Sequence, residues 1–245
     1  SVRNTSISSY QSDAITWVIV VFTFLAGINF SLLYAVVRGR IKDALRSEEL
    51  RWYLLILAIT IGLICVDLHV ELGQGWYESA KDAAFQATTI MSTTGYATKD
   101  FTLWPTFSRC ILVLLMYVGG CAGSTAGGMK VSRLMLQVKS LRRELDHIIH
   151  PNRVSVITMD GQSVDEKAVT SAHMFQVAYL LILMAGTLVV SLDVLGFTES
   201  FVASLTCISN VGPSLGTLGP MANFAPLSWF SKLVLALIML MGRLE

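Results

Sequence analysis

Apolar runs broken by short charged clusters dominate the chain. The longest, residues 14–37, reads AITWVIVVFTFLAGINFSLLYAVV and carries no charge. Roughly 20 such residues carry a helix across a bilayer, so this stretch predicts a continuous span. Residues 52–66 with their flanks, 107–122, 174–195 and 227–241 are further candidates. The second of the five ends near Asp67 and His69, and the third runs into a glycine cluster. Buried helices of a soluble protein would explain any one of them, but not all together. Two shorter amphipathic stretches, 79–91 and 199–208, cannot cross. Each is followed by small, hydroxyl or glycine residues, STTGYAT and SNVGPSLGTLGP, and then by an apolar helix.

Composition agrees with a membrane protein. Of 245 residues, 53% are hydrophobic and 14% charged, and the mean hydropathy is +0.62, well away from a soluble domain. The net charge of +1 and the absence of one basic face give no sign of nucleic-acid binding. Cys65, Cys110, Cys121 and Cys207 lie in or beside apolar stretches, widely spaced and without histidine partners, so they read as small core residues instead of a disulfide framework or zinc site. The polar start and the abrupt end at MLMGRLE read as cut ends of a longer chain.

Charge placement orients the spans. Arg38, Arg40, Lys42, Arg46 and Arg51 follow the first span, and Lys130, Arg133, Lys139, Arg142, Arg143 and Arg153 follow the third. Asp67, Glu71, Glu78 and Asp82 follow the second, and Asp193 and Glu199 the fourth. Segments 38–51 and 130–170 are therefore expected inside, and 1–13, 68–106 and 193–226 at the outer face. The stretch SRLMLQVKSLRRELDHII has helical spacing and is expected to extend into the cytoplasm. Pro151 separates it from NRVSVITMDGQSVDEKA, which alternates around Asp160-Gly161 and predicts a short hairpin. This segment reads either as a plain connector or as a contact surface for a cytoplasmic partner.

An internal repeat organises the outer segments. An offset of 117 residues puts Gly95 over Gly212, Ser92 over Ser209, Thr89 over Thr206 and Phe107 over Phe224. The unit is outer helix, half-helix, extended loop, inner helix. Non-helical backbone at membrane depth leaves carbonyls and amides unpaired, at several kcal/mol per group. A partly dehydrated cation can take up those carbonyls, and glycine permits the dihedrals that aim them. The C-terminal end of each half-helix adds a dipole that favours a cation. Candidate filter residues are Ser92, Thr93, Thr94, Gly95 and Tyr96 with Ser209, Asn210, Val211, Gly212 and Pro213, the ligands being the carbonyls of Thr93, Thr94, Asn210 and Val211. The plainer reading is two outer loops that merely pack on their neighbours. The spans largely lack Asp and Glu, which favours carbonyls over a carboxylate site.

The cluster Gly120, Cys121, Ala122, Gly123, Ser124, Thr125, Ala126, Gly127, Gly128 is out of register for a phosphate-binding loop and follows no strand. It is expected to break the inner helix within the membrane and leave a flexible loop below the filter, close packing of helices through small residues being the alternative. At the repeat offset Arg243 falls over Ala126, at the depth of this loop. An intramembrane arginine is a functional candidate: it could bond loop carbonyls and repel a cation. Snorkelling to the interface is the other reading, and Glu245, two residues on, does not face it.

TTGYAT at 93–98, GGCAGSTAGGMKVSR at 119–133, ISNVGPSLG at 208–216 and LMGRLE at 240–245 resemble the Trk/Ktr/HKT superfamily of potassium transporters, closest to the TrkH-type membrane subunits of bacterial potassium uptake systems. The resemblance implies an all-α membrane protein built of repeated outer helix, re-entrant pore helix with filter loop, and inner helix around a pseudo-fourfold potassium pore. Residues 1–51 then hold the inner helix of a second unit and a cytoplasmic linker, 52–170 a third unit with a broken inner helix and connector, and 171–245 a fourth unit. Gly95 and Gly212 become the third and fourth filter glycines, residues 120–128 the gating loop, and Arg243 its partner. The family further implies a bacterial inner-membrane location, no cofactor in this chain, a missing N-terminal half of the same protein, a homodimer among membrane lipid, and a cytoplasmic nucleotide-binding regulatory ring (TrkA-like) that would face residues 130–167. Potassium uptake, passive or as symport, is the expected function, with a non-conducting scaffold or truncated subunit as the alternative. No catalytic dyad points to an enzyme.

Overall fold

A computed structural model describes residues 6, 7, 10, 12–150, 156–193 and 195–243. Pro151, Arg153 and Glu245 lie outside the described residues. The helices are α1 (Asp13–Ala26), α2 (Phe30–Val37), α3 (Ile41–Arg46), α4 (Glu48–Leu72), α5 (Trp76–Met91), α6 (Thr106–Tyr117), α7 (Val131–Ile149), α8 (Glu166–Val190), α9 (Phe197–Ile208) and α10 (Trp229–Arg243). One hairpin, β1 (Thr158–Met159) and β2 (Gln162–Ser163), sits between α7 and α8.

Two 25-residue helices, α4 and α8, are long and apolar enough to cross a membrane. Both faces of α4 are apolar, and packing separates them. Tyr53, Leu57, Ile64 and Leu68 are buried, whereas Leu55, Ile59, Leu63, Val66 and Val70 are exposed along the other side, as a helix between protein and lipid requires. The span expected at 174–195 starts earlier, at Glu166, because the Asp165 side chain accepts from Lys167 N and caps the helix.

The continuous first span is overturned. The chain bends by 107° between α1 and α2, and α1 alone, at 14 residues, reaches only about 21 Å. Ending α1 frees carbonyls, and distant groups take them. Tyr53 Oη donates to Phe24 O at 3.1 Å, Thr125 Oγ1 to Ala26 O at 3.1 Å and Cys121 N to Gly27 O at 2.9 Å. A Cβ built on Gly27 would lie 2.4 Å from Tyr53 Oη, so only glycine admits the tyrosine. Asn29 Oδ1 then accepts from Ser31 N and restarts the helix.

The two repeat units have the expected order. The pore helix α5 packs on α4, α1 and α6, and α9 packs on α8 and α10. The inner helices depart from the sequence alignment: Phe107 lies in α6, but Phe224 sits in the loop before α10, which starts only at Trp229. Pro220 and Pro226 cannot continue a helical ladder, and the longer loop is tied back to the end of its own unit's outer helix, where Ser228 N donates to Asp193 Oδ2.

The charged segments gather at opposite ends. Glu48 N donates to Asp160 Oδ1 at 2.6 Å, and Lys139 pairs with Glu48 and donates to Thr158 O. This joins the 38–51 and 130–170 segments at one end, as their shared basic character anticipates. The hairpin turns on Asp160 and Gly161, both at positive φ, the conformation a two-residue hairpin requires. At the other end Lys81 pairs with Asp13, and Ser108 donates through N and Oγ to Asp67 Oδ2.

Candidate functional site

Each filter loop leaves its pore helix by the same backbone route. Ser92 and Ser209 cap α5 and α9 in right-handed conformations. The next residues, Thr93 (φ 54) and Asn210 (φ 56), turn left-handed, and Gly95 (φ 70) and Gly212 (φ 110) follow two residues later. Thr93 N and Asn210 N donate to Ile90 O and Cys207 O, and Thr94 N and Val211 N to Thr89 O and Thr206 O. The aligned threonines brace the outgoing strands: Thr89 Oγ1 donates to Tyr96 O, and Gly212 N donates to Thr206 Oγ1. Every one of these pairs obeys the 117-residue offset except the last, where the brace reaches Tyr96 in one unit and Gly212 in the other.

The two loops also meet. A Cβ built on Gly95 would lie 2.0 Å from Val211 O and 2.9 Å from Pro213 Cδ, while nothing lies within 4 Å of one built on Gly212. Thr94, Gly95, Val211, Gly212 and Pro213 line one cavity of about 420 Å³ with Gly219, Pro220 and Phe224. Among the described residues no hydrogen bond runs to the carbonyl oxygens of Thr93, Thr94, Asn210 or Val211. Such carbonyls need water or a cation. Tyr96 lies at the start of the outgoing strand, and Ser92 Oγ bonds Thr94 Oγ1, so these two support the loop from the side.

Below the filter, α6 ends at Tyr117, earlier than the expected 107–122 helix. Val118 turns extended and bridges Met129, with Gly119 N donating to Met129 O at 2.8 Å. The neck of the loop is this tight because a Cβ on Gly119 would lie 2.0 Å from Gly127 O. In this structure the enclosed loop is bonded along its length. Ala122 N and Ser132 N both donate to Glu49 Oε1, Phe30 N donates to Gly123 O, Ser124 Oγ to Cys121 O, and Lys130 Nζ to Ala126 O. Gly120 packs on Ala126 and Gly27 O, and Gly128 takes φ 72 beside Ser209.

The loop touches the filter itself. Gly127 N donates to Thr93 Oγ1 at 2.9 Å, and a Cβ on Gly127 would lie 2.6 Å from Ser209 O. From the last helix, Arg243 Nη1 donates to Thr125 O at 3.0 Å. Asn210 Nδ2 donates to Met239 O, and Gly242 packs on Ile208 O. Filter, loop and α10 thus form one bonded cluster, and every candidate residue lies in it or beside it.

Several members of the cluster escaped the sequence reading. Glu49, 8% exposed, stood in the basic linker as an ordinary charge. Gly27, Asn29 and Tyr53 lay within apolar runs. Tyr179, whose hydroxyl shares a 2.6 Å hydrogen bond with Ser209 Oγ and whose ring meets Tyr117 edge-on, carried no local signal beyond being a tyrosine in mid-span.

Known proteins place this geometry. The TrkH family, cation transport proteins, matches the chain along residues 1–245. The Trk system potassium uptake protein TrkH of Salmonella typhimurium is 30% identical over 250 residues, covering 100% of this chain and 51% of that protein. TrkI of Halomonas elongata is 32% identical over 236 residues, 96% of this chain and 48% of its own. The crystal structure of the potassium transporter TrkH from Vibrio parahaemolyticus superposes with a TM-score of 0.90 at 30% identity, over 98% of this chain and 52% of that one. The chain spans about half the length of these relatives. Apolar helices long enough to cross a bilayer and a family match along the whole chain describe a multi-pass protein of the bacterial inner membrane: the chain belongs to the TrkH family of cation transport proteins.

Proposed function

We propose that this chain forms two quarters of a potassium-conducting pore. The carbonyls of Thr93, Thr94, Asn210 and Val211 replace part of the ion's hydration shell, and Gly95 and Gly212 supply the dihedrals that aim them. Two further units of the same kind, from the remainder of a longer polypeptide, complete the ring. The single observation that carries this reading is the pair of loops with matching backbone, bonded alike to their pore helices, whose carbonyls, without a donor among the described residues, belong to residues lining or adjoining one cavity. The relatives named as potassium uptake proteins agree with potassium as the cargo.

Residues 120–128 act as the gate in this proposal, and the structure corresponds to the closed condition. The loop lies against the base of the filter through Gly127, with Arg243 holding Thr125 O from α10. A guanidinium beside the path raises the energy of a cation there, so opening requires the Arg243 bond and the Glu49 bonds to be released. The cytoplasmic surface from Lys130 to Lys167 receives a nucleotide-binding regulatory ring, and the complete transporter is a homodimer.

The test is potassium flux through the complete transporter in liposomes. Potassium-selective uptake is expected, with more flux when residues 121–127 are shortened. No flux in the complete protein would leave the scaffold reading in its place.

A further inference from the structure

Among the described residues no donor reaches the carbonyls of Thr93, Thr94, Asn210 or Val211, so their positions depend on what holds the strands at either side. On the entering side the pore-helix bonds serve. On the leaving side the threonine braces act close to the filter, and two acidic residues act further along.

Asp82 lies on α5 with its side chain 3% exposed, and its Oδ2 is 2.6 Å from Lys99 Nζ on the strand leaving the first filter loop. Glu199 lies on α9, and its Oε1 accepts from Thr217 N at 2.7 Å on the strand leaving the second. The repeat offset carries Asp82 onto Glu199 and Lys99 onto Gly216, next to Thr217. One position in the repeat therefore does the same thing by two chemistries: an ion pair in one unit, a backbone hydrogen bond in the other. The second version depends on glycine. Gly216 has φ +66, and a Cβ there would lie 2.0 Å from Glu199 Oε1. The leaving strands also touch each other, since a Cβ on Gly219 would lie 2.8 Å from Thr102 Cγ2.

We propose that Asp82 and Glu199 are positioning residues that close each filter loop into a ring, pore helix to leaving strand, and thereby set the discrimination between potassium and sodium. Neither touches the ion. Their effect is on how far the free carbonyls can follow a smaller cation, so it is read in selectivity more than in total flux. The inference rests on the permeation proposed above.

The experiment measures the potassium-to-sodium flux ratio of the complete transporter in liposomes. Asp82→Asn and Lys99→Met are each expected to lower the ratio about fivefold, what losing one such bond gives, and the double variant no further than either alone. Glu199→Ala is expected to lower it similarly. Glu199→Gln is expected to recover most of that loss, because an amide oxygen still accepts from the neutral Thr217 N–H. If Asp82→Asn fails to fold, Lys99→Met at the half-exposed partner decides alone. Unchanged ratios in Lys99→Met and Glu199→Ala, or a Gln variant as impaired as Ala, would overturn the proposal while selective wild-type flux leaves permeation intact. Absence of potassium flux in wild type would instead overturn the permeation reading, and the anchors with it.

Discussion

Thr93 and Asn210 occupy equivalent left-handed positions, yet they do not suit them equally. Asparagine tolerates that region, whereas a β-branched threonine there is an outlier that costs on the order of 1–3 kcal/mol. What Thr93 has in return is the 2.9 Å bond from Gly127 N, so the strain sits where filter and loop meet. The glycines differ as well. Gly95 needs both its positive φ and the missing Cβ, because Val211 O stands in the way, but Gly212 needs only its φ. Gly95→Ala is therefore expected to abolish potassium selectivity and Gly212→Ala to weaken it, as ion-competition flux would show; equal effects would contradict the packing argument. Arg243→Ala should raise flux in the closed condition about tenfold, the loss of one charged hydrogen bond, and a patch or flux assay without activating ligand would detect it. The positive-φ glycines Gly95 and Gly212 were legible in the sequence because a repeat marked them twice. Glu49 was not, since nothing in the linker distinguishes a buried glutamate from a solvated one.

At the scale of elements, the loop between α6 and α7 shows how small residues allow close packing of backbone. Glycines let its backbone pass close to Gly27, Ser209 and itself, and each close pass makes a bond or a van der Waals contact. Glu49 Oε1 holds the start of the loop at Ala122 N (2.7 Å) and the start of α7 at Ser132 N (3.2 Å), so one carboxylate couples the glycine-rich loop to α7. Glu49→Ala leaves two part-buried donors, Ala122 N and Ser132 N, without this acceptor. We expect closed-condition flux to rise about tenfold or more, with Glu49→Gln in between because it retains an uncharged acceptor. The hairpin works at a distance from this cluster. Asp160→Ala removes the acceptor for Glu48 N and should cost about 1 kcal/mol of stability, visible as a lower unfolding temperature with selectivity unchanged.

For the whole molecule, the helices form a half-built arrangement by length: the chain covers 51% of one TrkH relative and 52% of the Vibrio structure. Two filter loops cannot surround an ion, so residues 1–245 alone in liposomes should pass no potassium above background, and the complete transporter should. Flux through the isolated chain would mean that copies assemble a pore between them. The exposed apolar face of α4 and the bent α1–α2 pair belong to this scale too, because which side meets lipid and which meets protein is a property of the assembled bundle.

The order of elements, the repeat, the two glycine-bearing loops after α5 and α9 and the break after α6 followed from the sequence alone, because apolar run length, glycine dihedrals and helix-breaking chemistry act within a few residues. The bend at Gly27, the role of Glu49 and the carboxylate anchors were decided only by tertiary structure. Each satisfies backbone or charged groups that a non-helical segment leaves open, and each partner comes from far along the chain: Tyr53 for Phe24 across 29 residues, Glu49 for Ala122 across 73. Hydrophobic period records which face is buried, but not which distant polar group will meet a freed carbonyl or amide there.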